Sequence, residues 1–409
     1  MERVEGKTFV QIPSPFSLFY AGLFLMLPFS IFMFPMMDMW NSSGLFFQGG
    51  VFILFLLSFV EKYRNTFISD NKPILIFSLW AMVSTAFIFY KSASQNYYNH
   101  LNMYTFFNFL TFLVFYKLSV DHLTREKMDV ILKYVTYGIS CVVAYAILQK
   151  FNLDQFQNPL ETQGMAQNDA RKIASDYIVG TIGNPTHLSA YLGISLPLFY
   201  MRDTKFHFFT ACLIWLVIGW TGSSSGLLTA ISATAFYGIF FKAKAMTPII
   251  VGIVFYAVMF ASKGNLAASW ISTYLNPYGR FEIWGKILEI CKVSPIFGHG
   301  LGYMRFLHIV DKTNTNWGHA HSEMLQLLLE LGLIGVSLVV LCLFHYFKTF
   351  MRSVKGGMNV ALASMMVGFI VNSFFSFPAH LWLISSLVMI SYTFIYVSQN
   401  EEEHSYDTR

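Results

Sequence analysis

The sequence predicts an all-α, polytopic integral membrane protein with about 12 transmembrane helices, and two observations carry this fold class. Of the 409 residues, 55% are hydrophobic and only 12% are charged, whereas about 25% of the residues of soluble domains are charged. The apolar residues also fall into repeated blocks of about 20, the length that an α-helix needs to cross about 30 Å of hydrocarbon. Lipid is therefore the expected solvent.

Apolar runs between polar breaks place these helices along the chain. The first run begins just after Ser14, and no small-residue cleavage site follows it. We therefore expect a retained span and not a removed signal peptide. The predicted spans are residues 17–36, 44–60, 73–90, 101–119, 130–148, 186–201, 206–220, 226–241, 247–261, 322–346, 358–376 and 381–398.

Basic residues lie mainly in alternate connections between the spans. If the N-terminus is cytoplasmic, every inside loop carries lysine or arginine, and the short outside connections carry almost none, Lys91 being the exception. Positive charge near span ends stays on the cytoplasmic side, so both termini are expected in the cytoplasm. The basic residues of the inside loops are Lys62, Arg64, Lys72, Lys117, Arg125, Lys127, Arg202, Lys205, Lys242, Lys244, Lys348, Arg352 and Lys355.

Two outside segments, near 149–185 and 262–321, are too long to be simple turns, and long loops in compact proteins are usually functional or disordered. The second lies between the ninth and tenth spans and is rich in apolar and aromatic residues. We expect it to fold onto the membrane face as a large, partly helical loop. The predicted organisation is one membrane domain with spans 1–9 in residues 1–261, the loop in 262–321, spans 10–12 in 322–398 and a cytoplasmic tail in 399–409.

Residues 281–293 of that loop have the pattern of an amphipathic helix. Such a helix is expected to lie flat at the lipid headgroups. Its apolar face would hold Ile283, Trp284, Ile287, Leu288 and Cys291, and its polar face Lys286, Glu289 and Lys292.

The sequence lacks the usual motifs of nucleotide-dependent and metal-dependent chemistry. It has no Gly-x-Gly-x-x-Gly after a strand, no Walker lysine and no HExxH. Its four cysteines show no CxxC or metal-ligand spacing. We therefore expect no cofactor, no metal site and no nucleotide-driven transport.

The densest group of polar residues and glycines runs from residue 279 to 335. His321-Ser322 is followed after nine residues by Gly332 and after two more by Gly335, with Glu330 just before the first glycine. In its order along the chain, this pattern resembles the O-antigen ligase and polymerase superfamily over roughly 180–340. The other matching features are Gly183-Asn184-Pro185, Gly279-Arg280 with Trp284, and Pro295 with Gly298, Gly300 and Gly302.

The resemblance implies an inverting glycosyltransferase of the bacterial inner membrane. Such an enzyme takes a glycan from undecaprenyl diphosphate at the periplasmic face, without a nucleotide sugar or a metal. His321 would be the base and Arg280 the diphosphate ligand. Apart from the resemblance, His319, Asn184 and Glu330 are further candidate substrate contacts, although Asn184 before Pro185 is equally well explained as the start of a helix.

One position departs from the family pattern. The family often has Ser-Arg at the outer start of the eighth span, and Ser224 stands here in place of that second phosphate-binding arginine. Ser224 is therefore a candidate substrate contact. Arg171, Lys172 or Lys263 would have to supply the missing charge.

The residue types themselves fit this chemistry. Transfer from a lipid diphosphate needs a base with a pKa near neutrality and cations that hold a leaving group of growing negative charge. His321 supplies the first. Arg280 supplies the second, because a guanidinium binds two phosphate oxygens and keeps its proton.

Each candidate also has a structural explanation. His321 could be an interfacial histidine bonded to a backbone carbonyl, and Arg280 could anchor a helix at the headgroups. His319 and His321 form His-x-His, but two ligands without a third are weak evidence for metal. Glu330 could orient a histidine or form a hydrogen bond that holds the helix bundle. Gly332 and Gly335 are expected to let helices approach closely.

The function that the sequence favours is an O-antigen ligase that attaches a glycan to a sugar hydroxyl of lipid A core. A polymerase of the same superfamily would instead join carrier-linked repeat units, and a protein O-oligosaccharyltransferase would use a serine or threonine acceptor. A polysaccharide flippase or transporter is the alternative from another class. Transporters usually place charges at mid-membrane and show repeated halves, and here the charges within spans are few.

Overall fold

The structure is a computed structural model. It describes residues 14–30, 39–58, 72–91, 96–153, 176, 178–241, 280–307, 309–310, 316–353 and 356–407. These residues are almost entirely helical, which confirms the predicted all-α class. One short antiparallel pair, β1 (Ile309–Val310) with β2 (Asn316–Trp317), lies in the loop before the tenth predicted span.

The helices are numbered here in chain order. Short 3₁₀ turns at Leu27–Phe29, Gly180–Ile182, Tyr303–Phe306 and Pro378–His380 lie next to several of them. The helices of the described residues are α1 (Pro15–Met26), α2 (Met39–Ser58), α3 (Lys72–Lys91), α4 (Asn96–His122), α5 (Arg125–Lys150), α6 (Pro185–Ser195), α7 (Pro197–Tyr200), α8 (Lys205–Thr221), α9 (Ser224–Phe241), α10 (Arg280–Cys291), α11 (Glu323–Arg352), α12 (Gly357–Ser373) and α13 (Trp382–Asp407).

The helices follow the predicted spans closely. Each predicted span overlaps a helix or a consecutive helix pair, except for the ninth, 247–261, which lies outside the described residues, as do 31–36 of the first span and 59–60 of the second. By length and composition, four helical segments are long and apolar enough to cross a membrane, so the chain is a membrane protein. These segments are Arg125–Lys150, Ser224–Phe241, Glu323–Arg352 and Trp382–Gln399. The number of twelve crossings stays a prediction, as does the arrangement of the long loop.

Several helices begin at a side chain that caps the free backbone N–H groups of the first turn. Thr124 accepts from the N–H of Lys127 at the start of α5, and Thr204 accepts from the N–H of His207 at the start of α8. Gly222 separates α8 from α9 with φ of +65°, a conformation that glycine adopts without steric penalty. Local sequence therefore sets these boundaries.

Small residues allow α6, α9 and α12 to pack closely. A Cβ on Gly226 of α9 would collide with the side chain of Ser189 in α6, and a Cβ on Gly368 of α12 would press on Ala233 of α9. Asn372 Nδ2 also donates to Thr229 Oγ1 across the α9–α12 contact at 2.9 Å. These three helices form a close-packed core.

The start of α11 and the end of α12 meet at one end of this core. The N–H of Glu323 donates to the carbonyl of Ser376, just after α12, at 2.9 Å. His187, in the first turn of α6, lies against Phe377. Residues far apart in the chain therefore converge at this end, which carries the candidate site.

Candidate functional site

Three histidine rings surround Phe377, which is buried. His319 stacks on the phenyl ring with centroids 4.2 Å apart and an interplanar angle of 9°. His321 and His187 meet the ring edge-on, with centroids at 5.0 Å and 5.4 Å. Phe377 thus gathers the predicted loop histidines and a histidine of α6 around one apolar surface.

His321 has an unusual backbone and an unusual environment. Its φ is +51°, in the left-handed region that residues other than glycine seldom occupy. Burial lowers the pKa of His321 to about 3, with further contributions from the nearby Arg280 and His187. The imidazole is therefore neutral at pH 7, the form that can accept a proton.

Arg280 is the first residue of α10 and lies close enough to His321 for its charge to affect the imidazole. Its Nη1 donates to the carbonyl oxygen of Phe375 at 2.7 Å, so the end of α12 helps to hold the guanidinium in place. The structure therefore brings together the two residues to which the sequence assigned the base and the diphosphate contact.

The residue between the two loop histidines is held from both sides. Trp284 of α10 donates its Nε1–H to the carbonyl oxygen of Ala320 at 2.8 Å. On the other side, the N–H of Ala320 donates to Gln326 Oε1 at 3.3 Å. These bonds fix the peptide groups on both sides of Ala320 and so restrict the path of the chain into His321.

A series of hydrogen-bonded polar side chains, called here the polar chain, lies next to His319. Gln326 Nε2 donates to Glu330 Oε1 at 3.1 Å and lies 2.9 Å from His380 Nε2. His380 Nδ1 in turn lies 3.1 Å from Glu323 Oε1. Glu323, Gln326 and Glu330 are almost fully buried and share one face of α11, because their spacing is three and then four residues.

Glu330 holds part of the preceding loop. Its carboxylate accepts from the N–H of Gly302 at 2.9 Å and of Met304 at 3.3 Å, in addition to Gln326. Both carboxylate oxygens therefore face donors of the protein. The geometry supports a role in organising the loop, and a direct contact between Glu330 and substrate stays a prediction.

Gly332 interrupts α11. Its φ of +66° and ψ of −170° are not helical. The break leaves the carbonyl of Leu329 to accept from the N–H of His299 at 2.9 Å, and the N–H of Leu333 to donate to Pro295 at 2.9 Å. A Cβ on Gly332 would collide with the backbone of Ile296.

The expectation that Gly332 lets two helices approach is therefore wrong. This glycine breaks the helix and admits a loop backbone, which binds to the main-chain groups that the break exposes. Gly298 belongs to the same contact, because a Cβ there would collide with the backbone of Glu330.

Asn184 and Ser224 begin helices at the same end of the core. Asn184 Oδ1 accepts from the N–H groups of Thr186 and His187 at 2.9 Å and 3.2 Å and so caps α6. Ser224 is the first residue of α9 and is half-buried, two residues before the contact of Gly226 with Ser189. The cations considered as substitutes for the missing arginine, Arg171, Lys172 and Lys263, lie outside the described residues.

His319 has a histidine neighbour, since the centroids of the His319 and His380 rings are 5.4 Å apart. Within the part of the chain that the structure describes, no group of three or more His, Cys, Asp or Glu side chains is arranged to hold a metal ion. His319 thus lies between the ring of Phe377 and that of His380, beside the candidate base.

Sequence reasoning missed His187, Phe377, His380 and Gln326. The spacing of Glu323, Gln326 and Glu330 on one face of an otherwise apolar helix is a signal that could have identified the polar chain. Nothing in the local sequence points to Phe377, because its contacts depend on how α6, α11 and α12 pack.

Comparison with known proteins agrees with the motifs. The O-antigen ligase family model matches residues 209–340, the region that contains Arg280, His321 and both motif glycines. A protein of Rickettsia felis, provisionally named a polysaccharide ligase, is 24% identical over 181 residues, which cover 41% of this chain and 44% of that protein.

Two further relatives match shorter segments. A protein of Rickettsia prowazekii with the same provisional name is 25% identical over 138 residues, 31% of this chain and 34% of its own. An uncharacterised protein of Haemophilus influenzae is 34% identical over 102 residues, 20% of this chain and 26% of its own. The chain thus spans less than half the length of each of these relatives. The family match over residues 209–340 and the motifs between residues 180 and 340 thus both show a similarity of this chain to the O-antigen ligase superfamily.

Proposed function

We propose that this protein is an inverting glycosyltransferase of the ligase type. It transfers a glycan from undecaprenyl diphosphate to a sugar hydroxyl of lipid A core, at the periplasmic face of the bacterial inner membrane. The family match and the names of the Rickettsia relatives support glycan transfer of this class.

The observation that carries the proposal is that His321 and Arg280 contact the same short segment at one end of the helical core: His321 lies against Phe377, and Arg280 donates to the carbonyl of Phe375. In the reaction, the acceptor oxygen bonds to the anomeric carbon while the bond from that carbon to the diphosphate oxygen breaks. His321 takes the acceptor proton, and Arg280 binds the diphosphate as its negative charge grows. The two groups thus serve the two ends of one displacement.

The low pKa of His321 describes the protein without substrate. An imidazole with a pKa of about 3 is always neutral at pH 7 but is a weak base. A diphosphate bound at Arg280 would offset the guanidinium charge and raise the pKa of His321. Donor binding would therefore prepare the base.

The remaining candidates are assigned by position. His319 lies on the face of Phe377 and would contact the sugar or the acceptor beside His321. Ser224 and Asn184 begin α9 and α6 at the same end and would face the glycan or the diphosphate. Glu330 would act mainly by shaping the loop that borders the site.

The test is transfer by the purified protein in liposomes. Undecaprenyl diphosphate carrying a labelled glycan is the donor, lipid A core is the acceptor, and neither nucleotide nor metal is added. His321→Asn is compared with His207→Asn, because His207 is also buried but lies in the first turn of α8 beside Thr204, away from Phe377.

Label on lipid A core that depends on His321 and not on His207 supports the ligase. Longer carrier-linked chains would identify a polymerase instead, and label on an added protein acceptor would identify a protein glycosyltransferase. Failure to transfer to any of these acceptors, with movement of intact donor across the membrane, would replace the proposal with transport.

A further inference from the structure

Gln326 occupies the junction between the loop histidines and the polar chain. It is only 1% exposed. It contacts three parts of the fold: Ala320 in the loop, His380 before α13 and Glu330 one turn along α11. A side chain with three separate partners can fix the relative positions of all three.

The orientation of this amide follows from its partners. An amide oxygen only accepts hydrogen bonds and an amide nitrogen only donates them. Because the N–H of Ala320 is a donor and the carboxylate of Glu330 an acceptor, Gln326 must present Oε1 to the first and Nε2 to the second. In the reversed amide, the Nε2 donor would face the N–H of Ala320, and the Oε1 acceptor would face the carboxylate of Glu330.

The amide then fixes His380. The second hydrogen of Gln326 Nε2 points to His380 Nε2 at 2.9 Å, so that ring nitrogen accepts. The ring hydrogen lies on Nδ1 and is donated to Glu323, 3.1 Å away. The N–H of Ala379 also donates to Glu323, at 3.1 Å. The turn that follows Phe377 is thereby attached to the first residue of α11.

Two contacts of the segment around His321 lead back to this side chain. Gln326 holds the peptide group between His319 and Ala320, while Trp284 holds the next one, between Ala320 and His321. The ring that His321 touches, Phe377, directly precedes the turn that His380 holds. The φ of +51° at His321 is a sparsely populated conformation, which persists only where surrounding contacts maintain it. Gln326 provides one of these contacts directly, through Ala320, and acts on a second through His380.

We propose that Gln326 is a positioning residue that holds His321 in its reactive orientation through Ala320 and His380. This inference rests on the proposed function of His321. It assigns to Gln326 no contact with substrate, so its effect must appear in the chemical step and must depend on the presence of His321.

The test is a double-mutant cycle with the labelled undecaprenyl diphosphate donor and lipid A core in liposomes. Gln326→Met keeps the length of the side chain but removes its three hydrogen bonds. We expect kcat to fall about 10- to 100-fold, the range for a misplacement of the reacting group by about 1 Å. The donor KM should change less than about threefold, because the diphosphate contact of Arg280 is retained.

The second arm adds Gln326→Met to His321→Asn. If Gln326 acts through His321, the residual transfer rate of His321→Asn should change less than about twofold. A loss of similar size in both backgrounds would overturn the inference, and so would an unchanged kcat in the single variant. Full activity of His321→Asn would instead overturn the proposed function.

Asn359→Leu is the matched control. Asn359 is a fully buried amide at the other end of α12, where its Nδ2 donates to Ser398 at 3.1 Å. This variant removes a comparable buried bond away from His321 and should leave kcat within about twofold. If Gln326→Met does not fold, Gln326→Asn serves in its place, because its shorter amide cannot reach Ala320 and His380 together. The same dependence on His321 is then expected, with a smaller loss.

Discussion

Glu323 and His380 join the start of α11 to the turn between α12 and α13, with Glu323 Oε1 3.1 Å from His380 Nδ1. Glu323 is almost fully buried, and it also accepts from the N–H of Ala379. Its position at the first residue of α11 suits a carboxylate, because the helix N-terminus carries partial positive charge. One carboxylate thus connects two segments that border the site.

Removal of this carboxylate should destabilise the protein. We expect Glu323→Leu to lower the free energy of unfolding by about 1 to 3 kcal/mol, because it leaves the partly buried N–H of Ala379 and the His380 ring without their acceptor. Thermal unfolding in detergent micelles measures the effect. Glu282→Gln, which breaks a partly exposed ion pair with Lys286, should change stability by less than about 1 kcal/mol. Equal effects of the two variants would contradict this account.

The stability of the protein should depend on pH through His321. In the unfolded chain its pKa returns to 6.5, whereas burial lowers it to about 3 in the folded protein. Between these two pKa values only the unfolded chain binds the proton, so protonation favours the unfolded state. The contribution of His321 to the free energy of unfolding is therefore complete above pH 6.5 and is lost as the pH falls. This residue changes the free energy of unfolding by at most about 1.4 kcal/mol per pH unit.

His321→Asn should remove that contribution. Comparison of thermal unfolding at several pH values below 6.5 for the wild-type protein and this variant isolates it from the other histidines. The difference in stability between the two proteins should shift in favour of the variant as the pH falls. A difference that does not vary with pH would show that folding does not lower the pKa of His321.

A lysine at position 280 should bind the donor diphosphate less well than Arg280. Its single ammonium group cannot bind two diphosphate oxygens and also reach the carbonyl of Phe375, as the planar guanidinium can. We expect Arg280→Lys to raise the donor KM at least about 10-fold, a loss of about 1.4 kcal/mol of binding. Initial rates at increasing donor concentration measure this. Arg202→Lys, at an ion pair with Asp129, is the control and should leave KM unchanged. An unchanged KM for Arg280→Lys would exclude Arg280 as a donor contact.

Gly332 should tolerate no side chain. An alanine there combines an unfavourable φ of +66° with a collision against Ile296, and backbone strain of this kind costs about 1 to 3 kcal/mol. Gly332→Ala should therefore detach the segment around Ile296 and speed tryptic cleavage after Lys292. Gly285→Ala in α10 meets no atom within 4 Å and should leave the cleavage rate unchanged. Equal cleavage rates for the two variants would show that the loop does not depend on the helix break.

The sequence predicted the helices well because each span is a local apolar run. It also predicted Arg280 and His321 in one site, because both belong to motifs that resemble those of the O-antigen ligase superfamily. It missed His187 and Phe377, which join the site through contacts between α6 and the end of α12. Such contacts between distant segments have no local signature.

The amphipathic pattern of α10 was harder to interpret from sequence. The pattern identified the helix correctly, but it did not distinguish a face that meets lipid from one that meets protein. In the structure Ile283, Ile287 and Cys291 pack with Ala320 and Leu329. The partner of an apolar face depends on the tertiary fold, so it could not be read from the periodicity of the helix.

The break at Gly332 also divides α11 into two segments with different neighbours. The segment from Leu333 to Arg352 has 20 residues and is about 30 Å long, which matches the thickness of the hydrocarbon layer. The segment before the break carries Glu323, Gln326 and Glu330, the polar side chains of the candidate site. We expect the later segment alone to cross the hydrocarbon, which would leave the site at the membrane surface. There a lipid carrier would present its phosphates while its tail stays in the bilayer.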